Sequence, residues 1–227
     1  MRAILISFSV LFTFALSAQT TFDNSSFNDF RLKVQQGKFA DEEGAIEGSR
    51  YFVSDFVMGS VLMADSTFYD HIPLRYDACD DALQTTYNDQ IFIIPSGEEM
   101  IFASIGEDTL VAVQYQEGNK TYWGNMYLLS SGPVSLYMKR RKSFQKAIEA
   151  KGYQDPSPAQ YTDDPIVLFW TKGEPILQEV LGKKDVIDFL SEIDAKAYIK
   201  KEKLSIRKTD DLIQLVNYYN SNLLKKK

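Results

Sequence analysis

The chain has 227 residues, 44% of them hydrophobic, and a formal net charge of −6 at pH 7. An acidic protein repels the phosphates of nucleic acid, so we expect no nucleic-acid partner. Because the chain contains one histidine and one cysteine, it can form neither a zinc site built from several such ligands nor an internal disulfide. We expect no cofactor, and a core that is stable without covalent cross-links.

The first 18 residues have the pattern of a secretory signal peptide. Arg2 precedes an apolar stretch from Ala3 to Leu16, and Ser17 and Ala18 provide small residues for cleavage. This stretch is shorter than the roughly 20 apolar residues that a membrane span requires. We therefore expect residues 1–18 to be removed and the mature chain, without a transmembrane segment, to be exported to the periplasm or outer envelope.

After a polar leader arm at residues 19–47, the sequence becomes typical of antiparallel strands. Residues 48–181 contain short runs rich in Val, Ile, Phe, Tyr and Trp, separated by turn residues. Nine strands are predicted, at residues 56–64, 68–76, 90–94, 100–104, 109–115, 121–129, 134–139, 166–170 and 176–180. The connections at 130–133 and 172–175 contain Gly and Pro and have the length of hairpin turns. This β domain is expected to be a curved sheet, a sandwich or a partial barrel.

Residues 140–165 interrupt the strand pattern with a charged stretch and prolines, and predict an excursion from the sheet with a possible short helix. Residues 182–227 have apolar residues at helical spacing, and Asp194 and Thr209 are suitable N-caps. Strands followed by helices predict an α+β fold in which a C-terminal helical subdomain packs on the sheet. Because residues 56–64 are apolar on both faces, we expect these helices to cover the second face.

The residues able to perform catalysis are few. His71 is adjacent to Asp70, but alternation along a strand would send the two side chains to opposite faces. The chain contains no Gly-x-Ser-x-Gly motif and no phosphate-binding loop. Two groups of loop aspartates could bind a metal, although such residues more often cap turns; they are Asp77, Asp80 and Asp81, and Asp163 and Asp164. We predict no catalytic residue and no metal site, and therefore a protein that is not an enzyme.

Two groups of residues are candidate contacts for a ligand or partner. Arg75 and Tyr76 lie in an apolar and aromatic segment where the arginine could anchor an anion; alternatively Arg75 pairs with Asp77, two residues further on the same strand face. The second group is the basic cluster of the β domain, whose default role is solvation and whose alternative partner is an envelope polysaccharide or a lipid headgroup. This cluster consists of Arg140, Arg141 and Lys142.

Aromatic and apolar strand residues can form a core or line a pocket for a lipid. If the helices left the second sheet face open, a pocket would be lined by Phe56, Met58, Leu62, Tyr122 and Met126.

Several short motifs resemble those of a group of exported proteins of unknown function from Bacteroidetes-type bacteria. In the β domain they are Gly48-Ser49-Arg50-Tyr51, Phe56-x-x-Gly59-x-Val61 and Ile72-Pro73-Leu74-Arg75-Tyr76-Asp77. In the tail they are Tyr198-Ile199-Lys200, Lys203-Leu204, Asp211-Leu212 and Tyr218-Tyr219-Asn220. The resemblance implies a periplasmic or outer-envelope location and implies no reaction, cofactor or catalytic residue.

Together these features predict a non-enzymatic cell-envelope protein that binds another protein or a glycan or lipid component of the envelope. The first alternative is a periplasmic carrier of a lipid or other apolar ligand in the curved sheet. The second is an uncharacterised hydrolase.

Overall fold

A computed structural model describes residues 35–36, 46–95, 97–150 and 155–224. The signal peptide and nearly all of the leader arm lie outside these residues. Strands account for 48% and helices for 17% of the structure, which confirms the predicted α+β class.

The strands, in chain order, are β1 (Gln35–Gln36), β2 (Ile46–Glu47), β3 (Val57–Met63), β4 (Phe68–Asp77), β5 (Ala82–Tyr87), β6 (Gln90–Ile94), β7 (Met100–Ile105), β8 (Asp108–Glu117), β9 (Lys120–Ser130), β10 (Ser135–Lys139), β11 (Lys142–Gln145), β12 (Ala159–Asp163), β13 (Val167–Thr171) and β14 (Ile176–Glu179). The helices are α1 (Lys183–Phe189), α2 (Ala195–Glu202) and α3 (Thr209–Leu224). Each of the nine predicted strands overlaps one of these strands, and both predicted hairpins, β9–β10 and β13–β14, are confirmed.

Within the described ranges, eleven strands form one sheet in the order β1-β6-β5-β4-β3-β7-β8-β14-β13-β10-β9, and β9 also pairs with β8. The last five strands therefore curl into a partial barrel. The long strand β8 joins the barrel to the open sheet, because residues 108–111 pair with β7 whereas Gln114 and Tyr115 pair with β14. Most pairings are antiparallel, but β14 runs parallel to β8.

Side chains fill the interior of the barrel. Tyr115, Met126, Phe169 and Leu177 form one buried cluster there. A separate cluster covers one face of the open sheet, and its fully buried members are Val61, Ile72, Leu74, Leu83, Ile94 and Ala103. The fold thus has a filled barrel beside a sheet that buries one of its faces.

The C-terminal helices pack on the outside of the barrel. Leu212, Leu215 and Val216 of α3 share a buried cluster with Leu136 of β10 and Trp170 of β13. The predicted cap of α2 is confirmed, since the side chain of Asp194 accepts a hydrogen bond from the N–H of Ala197 at 2.9 Å. None of the helices in the described ranges is long and apolar enough to cross a membrane.

The prediction that these helices cover the second face of residues 56–64 is wrong. Met58, on that face of β3, is 64% exposed. The connection from β14 to α1 is short, so the helices begin beside the barrel and reach β10 and β13 rather than β3.

The short helix considered for residues 140–165 is also absent from the described part of that segment. β11 and β12 form a small separate sheet there, with β12 running parallel to β2. Sequence reasoning missed β5 because its central residues are polar: Gln84 and Thr85 are fully buried although they belong to the residue types that usually face solvent.

Candidate functional site

A cleft of about 240 Å³ opens where the barrel meets the open sheet. Its floor is apolar and comes from β4, β8 and β9, namely Leu74, Tyr76, Leu110 and Tyr127. Its walls and rim are lined by aromatic, aliphatic and charged residues, which include Phe52, Val53, Asp55, Arg75, Asp108 and Arg140. The cleft therefore combines an apolar floor with basic and acidic residues.

The backbone of Ala78, just past β4, connects the two segments that form opposite parts of this cleft. Its N–H donates to the carbonyl of Arg50 at 3.2 Å, and its carbonyl accepts from the N–H of Lys142 at 3.0 Å. The first bond holds the segment that carries Phe52, and the second holds the segment that carries Arg140. The buried end of β4 thus brings together residues that are almost ninety positions apart in sequence.

Arg140 lies flat against an aromatic ring of the cleft. Its guanidinium carbon is 3.6 Å from the ring centroid of Phe52 and 6.0 Å from that of Tyr127. Such stacking stabilises a cation through the negative face of the ring but uses none of its N–H donors. Within the described residues, the half-buried Arg140 makes no ion pair and no hydrogen bond.

The other two members of the basic cluster are neutralised. Arg141 pairs with Glu117 at 3.0 Å and also donates to the hydroxyl of Tyr115. Lys142 pairs with Asp163 at 2.6 Å. The hydrogen bond from Arg141 also lowers the pKa of Glu117. Of three consecutive cations, only Arg140 keeps its charge free of a carboxylate, and it is the one that lines the cleft.

Arg75 also borders the cleft, and its predicted pairing with Asp77 is wrong. Its guanidinium lies on the strand face opposite Leu74 and Tyr76, because neighbouring residues of a strand alternate between faces. Arg75 donates instead to the side-chain oxygen of Gln84 at 2.9 and 3.2 Å and to the carbonyl of Ser54 at 3.0 Å. It also lies over two rings, with its guanidinium carbon 3.9 Å from the ring centroid of Tyr51 and 4.2 Å from that of Phe56. Its hydrogen-bond acceptors are neutral, so its charge is not cancelled by them.

Asp77 is instead fully buried and pairs with Arg50, with 2.7 Å between Oδ2 and Nε. The same carboxylate accepts from the side chain of Gln84 at 3.0 Å and from the backbone N–H of Cys79 at 3.1 Å. This network fixes the turn after β4. Cys79, the single cysteine of the chain, is partly buried beside this turn.

A second buried ion pair lies behind the cleft. Lys139 of β10, 1% exposed, pairs with Asp81 in the turn between β4 and β5 and donates to the carbonyl of Asn125 at 3.1 Å. Asp81 also accepts from the hydroxyl of Tyr76 at 2.7 Å. Burial lowers the pKa of Lys139 against the opposing effect of Asp81, and burial together with Asp81 raises the pKa of Tyr76. These bonds tie the barrel to the turn that holds the cleft floor.

The charges of the cleft act on Tyr127 in its floor. Burial raises the pKa of Tyr127 to about 12, while Arg140 acts to lower it and Asp108 acts to raise it. Tyr127 is therefore neutral at physiological pH, and its ring packs edge-on against Tyr76, with the centroids 5.9 Å apart. The floor presents aromatic surface without charge.

The structure gathers three of the five predicted contact residues, Arg75, Tyr76 and Arg140, around one cleft. It does not gather the five residues of the predicted apolar pocket. Met126 is fully buried inside the barrel, whereas Tyr122 on the same strand is 42% exposed and stacks beside Tyr115. Phe56 lies against Arg75, and Met58 and Leu62 lie on the uncovered face of β3.

His71 and Asp70 lie on a β-bulge of β4 and contact each other. Gly59 pairs with Ile72 and Val61 pairs with Tyr69, so two residues of β4 lie opposite Ser60. The prediction that the two side chains point to opposite faces is wrong, because the bulge breaks the alternation and places His71 at φ +56°. Nδ1 of His71 lies 2.9 Å from the carboxylate of Asp70, and neither residue lines the cleft.

Sequence reasoning missed Phe52, Asp55 and Asp108, which complete the cleft. No local signal identifies them, because Phe52 and Asp55 precede β3, Asp108 begins β8, and only the fold brings these two segments together. In the parts of the chain that the structure describes, no group of three or more His, Cys, Asp or Glu side chains is arranged to hold a metal ion. Comparisons of the chain with protein-family models, with curated proteins and with solved structures found no match.

Proposed function

We propose that this protein is an exported, non-enzymatic binding protein of the cell envelope, and that the cleft between Phe52 and Arg140 recognises its partner. The observation that supports this proposal best is the state of Arg140. Its guanidinium is half-buried and stacked on a ring, and no side chain or backbone group of the described chain neutralises it or accepts from it. Such a group offers several donors to an incoming anionic or polar group.

The size of the cleft favours recognition of part of a larger partner. At about 240 Å³ it is smaller than the roughly 300–1,000 Å³ of typical small-molecule pockets. It accommodates one amino-acid side chain or a comparable group, and Val53, 59% exposed at the rim, extends an apolar surface beyond it. A protein or glycan of the envelope fits this description better than an enclosed lipid, because the barrel interior is filled.

Site-specific photo-cross-linking tests the proposal. A photo-reactive phenylalanine analogue replaces Val53 at the rim, and in a control protein it replaces the exposed Lys196 on α2. After irradiation of intact cells, we expect an envelope protein or glycan, identified by mass spectrometry, to be attached at position 53 and not at position 196. The product should disappear in the Arg140→Met background. Equal cross-linking from both positions, or no dependence on Arg140, would contradict the proposal, as would recovery of the protein only in the cytoplasmic fraction.

A second candidate function, the carrier of an apolar ligand, is favoured by a different feature. A groove of about 890 Å³ lies between the barrel and the helices, lined in part by Leu204 and Ile206. Leu181 and Ile166 in this groove are 73% and 53% exposed. Native mass spectrometry of protein purified without detergent distinguishes the two functions, since near-stoichiometric acyl-chain adducts would favour the carrier and reject the binding protein.

A further inference from the structure

We infer that the cleft binds a single carboxylate carried on a short apolar group, as at the C-terminus of a peptide that ends in an aliphatic residue. This inference rests on the proposed binding function of the cleft and specifies the chemistry of its ligand. It is drawn from the unneutralised guanidinium of Arg140, from the apolar floor and from the two carboxylates at the rim.

The guanidinium group of Arg140 provides the donors. Arg140 has five N–H groups and makes no hydrogen bond within the described residues. The ring of Phe52 holds this guanidinium, so little side-chain freedom is lost when it binds a ligand. A planar carboxylate matches two parallel N–H donors of such a group.

The floor requires an apolar stem next to the charge. Leu74 and Leu110 are fully buried beneath the cleft, and the neutral ring of Tyr127 lies beside them. A ligand that placed polar groups against this floor would leave those groups without hydrogen-bond partners there, which costs binding free energy. An aliphatic side chain of about the size of leucine fits both the volume and the surface.

The rim limits the charge of the ligand to about one. Asp55 and Asp108 line the cleft and, within the described ranges, make no ion pair with either arginine. These two carboxylates repel additional negative charge, so the cleft does not attract polyanions such as phosphorylated or sulfated chains. A monovalent carboxylate can contact Arg140 while its apolar stem separates it from the rim.

Matched small probes test this inference on the wild-type protein. N-acetyl-leucine and N-acetyl-leucinamide have nearly the same shape and differ in the terminal charge. In NMR titrations of the mature protein, we expect saturable shifts at the amides of Val53 and Gly106 with N-acetyl-leucine. We expect N-acetyl-leucinamide to bind more weakly by about tenfold or more, because it cannot make charge-assisted hydrogen bonds to the guanidinium. Inorganic phosphate should also bind more weakly by about tenfold or more, because it lacks the apolar stem.

Substitution of the arginine provides the second arm. Arg140→Met keeps an unbranched apolar side chain on Phe52 and should weaken N-acetyl-leucine binding by about tenfold. Arg140→Lys should restore part of the affinity, and Lys196→Met, which removes an exposed cation on α2, should leave it unchanged. A melting temperature equal to that of the wild type shows that each variant is folded.

Equal binding of N-acetyl-leucine and its amide, tighter binding of phosphate, or shifts outside the cleft would overturn the inference. If these probes fail while Arg140-dependent cross-linking at position 53 succeeds, the binding function stands and the carboxylate is the wrong ligand. If both experiments fail, the cleft is not a recognition site.

Discussion

The buried ion pair between Lys139 and Asp81 predicts an asymmetric response to removal of one partner. The lysine is 1% exposed, whereas the aspartate is 30% exposed. Asp81→Asn leaves an ammonium group in the barrel wall with no carboxylate beside it, so that its hydrogen-bond acceptors, such as the carbonyl of Asn125, are all neutral. Lys139→Met leaves a carboxylate that water can reach and that keeps its hydrogen bond from Tyr76.

The expected losses of stability follow from the exposed fractions of these two side chains. Breaking a buried pair costs about 3–5 kcal/mol when the remaining charge is buried. Instead of staying charged, Lys139 can lose its proton. At pH 7 this deprotonation costs about 4.8 kcal/mol, because the ordinary lysine pKa of 10.5 lies about 3.5 units above the pH. The loss of stability caused by the buried charge cannot exceed this value. For Lys139→Met we expect a loss of about 1.5–3 kcal/mol, the value of a hydrogen bond to a charged group.

The cost of Asp81→Asn should fall as the pH rises. A lysine whose pKa is lower in the folded than in the unfolded state binds fewer protons when folded, so stability increases with pH. At pH 9 the deprotonation of Lys139 costs only about 2 kcal/mol, so the loss of stability caused by the buried charge is limited to that value. The destabilisation by Asp81→Asn should therefore shrink by up to about 2.7 kcal/mol between pH 7 and pH 9.

Urea denaturation of the wild type, the two single variants and the double variant at pH 7 and pH 9 measures these differences. The double variant Asp81→Asn/Lys139→Met should be more stable than Asp81→Asn alone, because no buried charge remains. A larger loss for Lys139→Met than for Asp81→Asn, or a loss for Asp81→Asn that does not change with pH, would refute the reasoning.

Three further predictions concern the helices and the sheet. A hydrogen bond from Tyr219, followed by one from Lys172, lowers the pKa of Glu192 from its ordinary 4.5 to about 2. The stabilisation that Glu192 provides is therefore present above pH 4.5 and is lost as the pH falls toward 2. Thermal melts from pH 6 to pH 2 measure this loss. Leu215→Ala should cost about 2–5 kcal/mol in urea denaturation, because Leu215 is fully buried between α3 and the barrel. Gly59→Ala should cost about 1–3 kcal/mol or more by the same measurement, since a Cβ there would lie 2.0 Å from the carbonyl oxygen of Ser104.

Each of these predictions has a matched control. Glu192→Gln should flatten the acid dependence, and an unchanged profile would contradict the assignment. Gln214→Ala, exposed beside Leu215, should change stability by less than about 0.5 kcal/mol. Gly182→Ala, where the nearest atom to a new Cβ is 3.5 Å away, should be tolerated far better than Gly59→Ala. Equal effects of the paired substitutions would contradict the packing described for α3 and β3.

The local elements of this protein were predictable from sequence because they depend on residues close together in the chain. Short runs rich in β-branched and aromatic residues located nine of the strands, and Gly-containing turns located two hairpins. The carboxylate of Asp194 preceding an apolar helical stripe located the start of α2. Strands followed by helices then indicated the α+β class.

Only the tertiary structure determined which partners the polar residues contact. β5 was missed because its buried Gln84 is satisfied by Asp77 and Arg75, partners that the strand pattern does not specify. Arg75 does not pair with Asp77 as predicted, because Arg50, 27 positions before Asp77, pairs with that carboxylate. The contact between Asp70 and His71 required a bulge, which depends on the register of β3 against β4.

The cleft is the clearest case of this division. Composition and spacing selected Arg140 as part of a basic cluster, but they could not show that Glu117 and Asp163 would neutralise its two neighbours. Nor could they show that Phe52 would lie under its guanidinium. Charge and aromatic content are properties of the sequence, whereas which charge remains unpaired depends on distances between segments that only the folded chain sets.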